Sequence, residues 1–141
     1  RGVAPEHVAG LTGYGETIGA ACQLSGDLLD IASEGAQSGK TPGTDLREGV
    51  ATLPVLYALA SEESDADAER LREILSAGAV TDPDLHAEAL GLLRESAAMK
   101  RARETVRMYT EQARTSLSVL PEAPARQALE SLCDFIADRT G

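Results

Sequence analysis

At 141 residues the chain has the length of one domain able to bury its own core. Hydrophobic residues make up 43% but aromatics only 3%, which favours packed helices of Ala, Leu, Val and Ile over an aromatic-rich β-sandwich. A formal charge of −10 repels phosphodiester backbones and anionic membranes, so no nucleic-acid partner is expected, and an anionic small substrate needs a metal or a local basic pocket.

Helical periodicity runs through the chain. From Pro5 to about Ala32, Val8, Leu11, Ile18, Ala21, Leu24, Leu28 and Ile31 recur at threes and fours, predicting one long amphipathic helix. Gly10, Gly13, Gly15 and Gly19 weaken an exposed helix, so they predict close packing or a cavity wall. Residues 33–44, SEGAQSGKTPGT, read as a loop. Asp45 to Glu48 then reads as a capping box that opens a short helical turn, stopped by Gly49. Thr52 with Pro54 restarts a helix through Leu59, residues 61–68 (SEESDADA) form a solvated acidic turn, and Leu71, Ile74 and Leu75 mark another short helix. Thr81, Asp82 and Pro83 make a strong helix start, followed by Leu85, Ala89, Leu90, Leu92 and Leu93. Met99, Ala102, Val106, Tyr109, Ala113 and Leu117 give a long amphipathic helix that Pro121 closes. Pro124 opens the last helix, with Leu129, Leu132 and Ile136 turned inward. No stretch alternates with period two long enough to make a strand. The predicted fold is all-α, a single domain over residues 1–141 built as a layer-packed helix bundle.

Cys22 and Cys133 stand far apart, without disulfide or metal-ligand spacing, and read as reduced, buried side chains of a cytoplasmic protein. No signal-peptide pattern and no apolar run long enough for a bilayer is visible. His7 and His86 lack a partner at ligand spacing and are expected at the surface or at helix ends. Ser25 and Ser38 have no base nearby in sequence, which leaves nucleophilic catalysis unsupported. Tyr14, Tyr57 and Tyr109 are expected to pack in the bundle with their hydroxyls near its surface. The chain opens Arg-Gly-Val without an initiator Met, which fits a fragment, a processed product or a trimmed chain.

The stretch with chemical content is QLSGDLLD, residues 23–30. At 3.6 residues per turn, Gln23, Asp27, Asp30 and Glu34 share one stripe, while Leu24, Leu28 and Ile31 occupy another. Two carboxylates one turn apart beside an amide suit a hard divalent cation, held through oxygens or its waters. A Gly/Lys loop follows, and its Lys40 would reach a phosphate gathered at that cation. By spacing alone, acidic residues one turn apart more often describe a solvated helix face. Residues 35–41, GAQSGKT, are not a phosphate-binding P-loop: they have one residue too few between the glycines, and a helix rather than a strand leads in.

Taken together, IGAACQLSGDLLD (18–30), GKTPGTDLREG (39–49) and TLPVL (52–56) resemble the polyprenyl (trans-isoprenyl) diphosphate synthases. In that family a helix carries Q-L-x-D-D-x-x-D, a loop carries G-K-x-x-G-x-D-L, and a T-L-P turn starts the next helix. Three motifs in the right order are more specific than any one. The close match covers residues 18–57, and the wording is most like bacterial long-chain members.

The resemblance implies an antiparallel helix bundle of the isoprenoid synthase type around a deep cavity. This chain would be its C-terminal portion, with the N-terminal half and the first aspartate-rich motif absent. It implies a transferase in which Mg²⁺ ions between two aspartate-rich motifs bind the diphosphate of an allylic prenyl substrate and promote its departure, after which isopentenyl diphosphate attacks the carbocation. By that resemblance Asp27 and Asp30 are metal ligands, Lys40 contacts the allylic diphosphate, Asp45 is a nearby carboxylate of the metal shell, and Gln23 lies beside the reacting carbon chain. Family members are commonly homodimers or heterodimers packed through helices.

Three features depart from the family pattern. Gly26 stands where the motif's first aspartate belongs, Val50 stands where many members have a second diphosphate-binding lysine, and Cys22 stands where many have Phe. A chain with one aspartate-rich motif is expected to be inactive alone. Gly26 and Val50 favour an alternative, a non-catalytic helical subunit that partners a true synthase. A class I terpene cyclase is a further alternative, but such enzymes typically carry an Asn/Ser/Glu metal triad in place of these motifs.

Overall fold

The computed structural model describes residues 4–33 and 42–140, and every regular element among them is helical. In chain order these are α1 (Pro5–Ala32), α2 (Thr44–Glu48), α3 (Leu53–Ala60), α4 (Ala66–Leu75), α5 (Pro83–Arg94), α6 (Ala97–Ser116) with a 3₁₀ turn at Leu117–Val119, and α7 (Pro124–Asp138). They form two compact units, residues 1–25 with 104–141 and residues 26–103, to both of which α1 and α6 contribute. Among the described residues no helix is long and apolar enough to cross a membrane.

In the first unit, Tyr14, Ala113, Leu117 and Cys133 are buried together, with Ile18, Leu120 and Leu129 packed against them. The Tyr14 hydroxyl donates to Leu129 O at 3.0 Å, so this tyrosine buries its ring and satisfies its polar end. Close packing explains Gly10: a Cβ there would lie 2.5 Å from Val119 Cγ2 and 2.7 Å from Ser116 O. The same reading fails for Gly15 and Gly19, where a Cβ meets nothing within 4 Å. On α7 the inward stripe is Leu129, Cys133 and Ile136, spaced by four and three. Leu132, expected inside, is 42% exposed because one residue along a helix rotates the side chain by about 100°. Cys22, expected to be buried, is exposed. Ser25 next to it is buried and donates to Cys22 O at 3.2 Å, while Arg139 donates to Ser25 Oγ at 2.8 Å.

In the second unit, α3, α4 and α5 pack on one another around Val55, Ala58, Leu71, Ile74, Leu75, Ala89, Leu90 and Leu93. Asp82 caps α5 as the sequence predicts, accepting from Leu85 N–H at 2.9 Å ahead of Pro83. Asp65 caps α4 in the same way through Ala68 N–H, so the helix begins at Ala66 and the acidic turn is shorter than expected. Gly49 ends α2 in the left-handed region, φ 77°, as predicted for a glycine stop. Tyr57 is half-buried under the Arg101 guanidinium, which stands 4.1 Å above its ring.

Candidate active site

The acidic motif occupies the last turns of α1, and its second aspartate, Asp30, reaches the start of α2. Asp30 is only 9% exposed. Its Oδ1 accepts from Thr44 N–H at 3.3 Å, its Oδ2 accepts from Asp45 N–H at 3.1 Å, and its backbone oxygen accepts from Gly43 N–H at 2.8 Å. The first N–H groups of a helix need acceptors, and α2 has no side-chain cap of its own because Gly43 occupies its N-cap position. Asp30 therefore caps α2 from another helix. The expected capping box at Asp45 does not form, since α2 begins one residue before it, at Thr44.

Asp27, one turn earlier, is half-buried. Burial pushes its carboxyl above the ordinary carboxylate range, and the negative charges of Asp45 and then Asp30 push it further. The Asp27 carboxylate thus lies within electrostatic reach of both Asp45 and Asp30. Gly26 beside them is exposed, and a Cβ there would meet nothing within 4 Å.

Among the described residues no three His, Cys, Asp or Glu side chains converge closely enough to enclose an ion by themselves. Mg²⁺ does not require that, because it is ordinarily held by one or two carboxylates and completed by waters and phosphate oxygens. Each oxygen of Asp30 retains acceptor capacity after its backbone bond. The donor set, hard oxygens in a cluster of like charge, fits Mg²⁺, with Asp27 as the candidate direct ligand and Asp45 and Asp30 beside it.

Of the residues expected at the site, Asp30 bonds the backbone N–H of Asp45, and Asp27 lies within electrostatic reach of both. Gln23 is exposed on α1 and belongs to the first unit. Lys40 and Glu34 lie outside the described residues. Val50 is exposed.

Two residues on α5 were not anticipated. His86, expected at the surface or a helix end, is 6% exposed, and its Nε2 lies 2.9 Å from Gly43 O. Its burial was legible in principle, because His86, Ala89, Leu90 and Leu93 form one stripe spaced by threes and fours. Arg94 donates through Nε to Ile31 O at 2.7 Å and through Nη2 to Ser33 O at 3.3 Å. No pattern in the sequence marks that contact.

Helices throughout the described residues, with Asp27 and Asp30 in the last turns of the first, agree with what the motifs imply for a prenyl diphosphate synthase. Residues 1–93 match the family described as polyprenyl synthetase, and the chain belongs to that family. It is 47% identical over 140 residues to a nonaprenyl diphosphate synthase of Mycobacterium tuberculosis, covering 99% of this chain and 41% of that protein. It is 33% identical over 138 residues to the octaprenyl diphosphate synthase of Escherichia coli, covering 98% of this chain and 42% of that one. Among solved structures it is similar to a geranylgeranyl pyrophosphate synthase from Corynebacterium glutamicum complexed with calcium and isoprenyl diphosphate. The TM-score is 0.89 at 39% identity, covering 99% of this chain and 42% of that one. The chain therefore spans about two fifths of the length of the relatives it matches.

Proposed function

We propose that the protein carrying this chain is a Mg²⁺-dependent prenyltransferase of isoprenoid biosynthesis that lengthens an allylic prenyl diphosphate with isopentenyl diphosphate. The observation that carries the reading is the half-buried Asp27 carboxylate within electrostatic reach of Asp45 and Asp30, with Asp30 bonded to the Asp45 backbone. Like charges held together disfavour their own ionisation, and a divalent cation relieves that cost. Bound Mg²⁺ would neutralise the diphosphate as it leaves. In this reading Asp27 holds the ion, Asp30 fixes α2 so that Asp45 faces the same cluster, Lys40 contacts the allylic diphosphate, and Gln23 lies along its carbon chain. The segment supplies one wall of the site; the facing aspartate-rich motif lies in the remaining length of the protein. Dimerisation through helices and a cytoplasmic location belong to the same proposal.

Gly26 favours a second reading, a helical subunit without turnover of its own, because the motif's first position carries no carboxylate. The test incubates full-length protein and the 141-residue segment with farnesyl diphosphate, labelled isopentenyl diphosphate and Mg²⁺. Elongation by the full-length protein and little by the segment is expected. Robust elongation by the segment alone would overturn the division into two walls. A full-length protein that shows no Mg²⁺-dependent elongation and co-purifies with an intact synthase would decide for the subunit. A hydrocarbon or alcohol product would decide for a cyclase.

A further inference from the structure

The chain leaves α1 at Ser33 and enters α2 at Gly43, and both of these points are tied to the same third helix. At the exit, the last carbonyls of α1 have no intrahelical partner and the last turn of α1 has no basic residue of its own. Arg94, from the end of α5, supplies the cation that this end lacks, bonding Ile31 O and Ser33 O. At the re-entry, Gly43 adopts φ 76°. A carbonyl only accepts, so the 2.9 Å contact with His86 requires the tautomer that carries hydrogen on Nε2. His86 approaches so closely that a Cβ on Gly43 would lie 2.6 Å from its Nε2, which together with the positive φ restricts this position to glycine. His86 and Arg94 are eight residues apart, about 12 Å along a rigid helix.

We propose that His86 and Arg94 are positioning residues, which use α5 as a splint to fix the two ends of the α1–α2 connection and thereby the placement of Asp45 against Asp27 and Asp30. Gly43, held by His86, is also the residue whose N–H bonds Asp30 O and whose neighbours Thr44 and Asp45 bond the Asp30 carboxylate. Loss of the His86 bond frees the start of α2 on the side away from Asp30. The placement of Asp45 then leans more heavily on the bonds from Asp30.

The proposal deepens the prenyl-transfer reading and rests on it for its kinetic arm only. The experiment compares His86→Leu, His86→Gln, Arg94→Met and Arg94→Lys in the full-length protein, by site-resolved amide hydrogen exchange and by the Mg²⁺ dependence of elongation. His86→Leu removes the donor at similar volume. It should speed exchange at residues 43–45 on the order of tenfold, leave α3 and α4 unchanged, and raise the Mg²⁺ concentration for half-maximal rate more than it lowers kcat. His86→Gln restores an N–H donor and should recover both readouts to within about threefold. If His86→Leu fails to fold, Arg94→Met against Arg94→Lys puts the same question to the exit of α1. Unchanged exchange at residues 43–45, equal loosening throughout α2–α5, or a Gln variant no better than Leu would overturn the proposal. If the wild-type protein transfers no prenyl group, the functional reading falls, and the exchange measurements still decide whether α5 fixes this connection.

Discussion

Gly26→Asp adds a carboxylate beside Asp27, and the structure gives it room, since Gly26 is exposed and a Cβ there meets nothing within 4 Å. Its effect on folding should be small. Aspartate is better than glycine within a helix by a few tenths of a kcal/mol, and repulsion from Asp30 one turn on offsets about 0.2–0.5 kcal/mol. Cation binding should change far more. Two unit charges 4 Å apart interact by about 1 kcal/mol in water and about 4 kcal/mol at the effective dielectric near a protein surface. The half-buried setting of Asp27 lies toward the weaker limit, and the double charge of the ion enlarges the term. After desolvation a gain of about 1.4–2.8 kcal/mol remains, or roughly ten- to a hundredfold in affinity. The assay is Mn²⁺ binding to the full-length protein in the presence of inorganic diphosphate, followed by electron spin resonance, with Mg²⁺ competition. Unchanged affinity in a variant of unchanged thermal stability would refute the reasoning, because the added carboxylate would then stand on a helix end that no ion approaches.

Further outcomes follow from the same geometry. Asp27 has a raised folded-state pKa, so without divalent ions its ionised form opposes folding above that pKa, and the penalty disappears as pH falls toward its unfolded value of 3.8. Asp27→Asn should therefore be slightly more stable than wild type at pH 7, by less than about 1 kcal/mol after solvent screening, and equal to it near pH 3.5. Mg²⁺ should stabilise the wild type and not the variant; thermal unfolding in chelator and in Mg²⁺ checks both. Gly10→Ala drives a Cβ into Ser116 O and Val119 and should cost about 1–3 kcal/mol, whereas Gly19→Ala enters open space and should gain about 0.5–1 kcal/mol, a difference in sign that thermal denaturation reads directly. Tyr14→Phe keeps the buried ring and loses the bond to Leu129 O, for a destabilisation of about 0.5–1.5 kcal/mol.

Much of the fold was legible because its signals are local. Pro5 and Ala32 bound α1 as the periodicity implies, Asp82 with Pro83 starts α5, and Gly49 ends α2, each through chemistry contained within a turn of chain. What sequence could not supply was the identity of distant partners. Asp30 reads as one more acidic residue on a stripe, yet it caps a helix that starts fourteen residues later. His86 lacks a ligand-spaced neighbour, yet it is buried against a glycine carbonyl 43 residues away. Leu132 and Cys133 differ by one position, and hydrophobicity alone prefers leucine inside. The helix phase set by Leu129 and Ile136 selects the cysteine.

The most direct test of the magnesium site is anomalous scattering from crystals of the full-length protein grown with Mn²⁺ and a non-hydrolysable allylic diphosphate. The account predicts a peak within about 2.0–2.3 Å of an Asp27 carboxylate oxygen, bridged by water or diphosphate toward Asp45. A well-ordered diphosphate whose metal ions all lie elsewhere, with Asp27 bonded only to solvent, would contradict it.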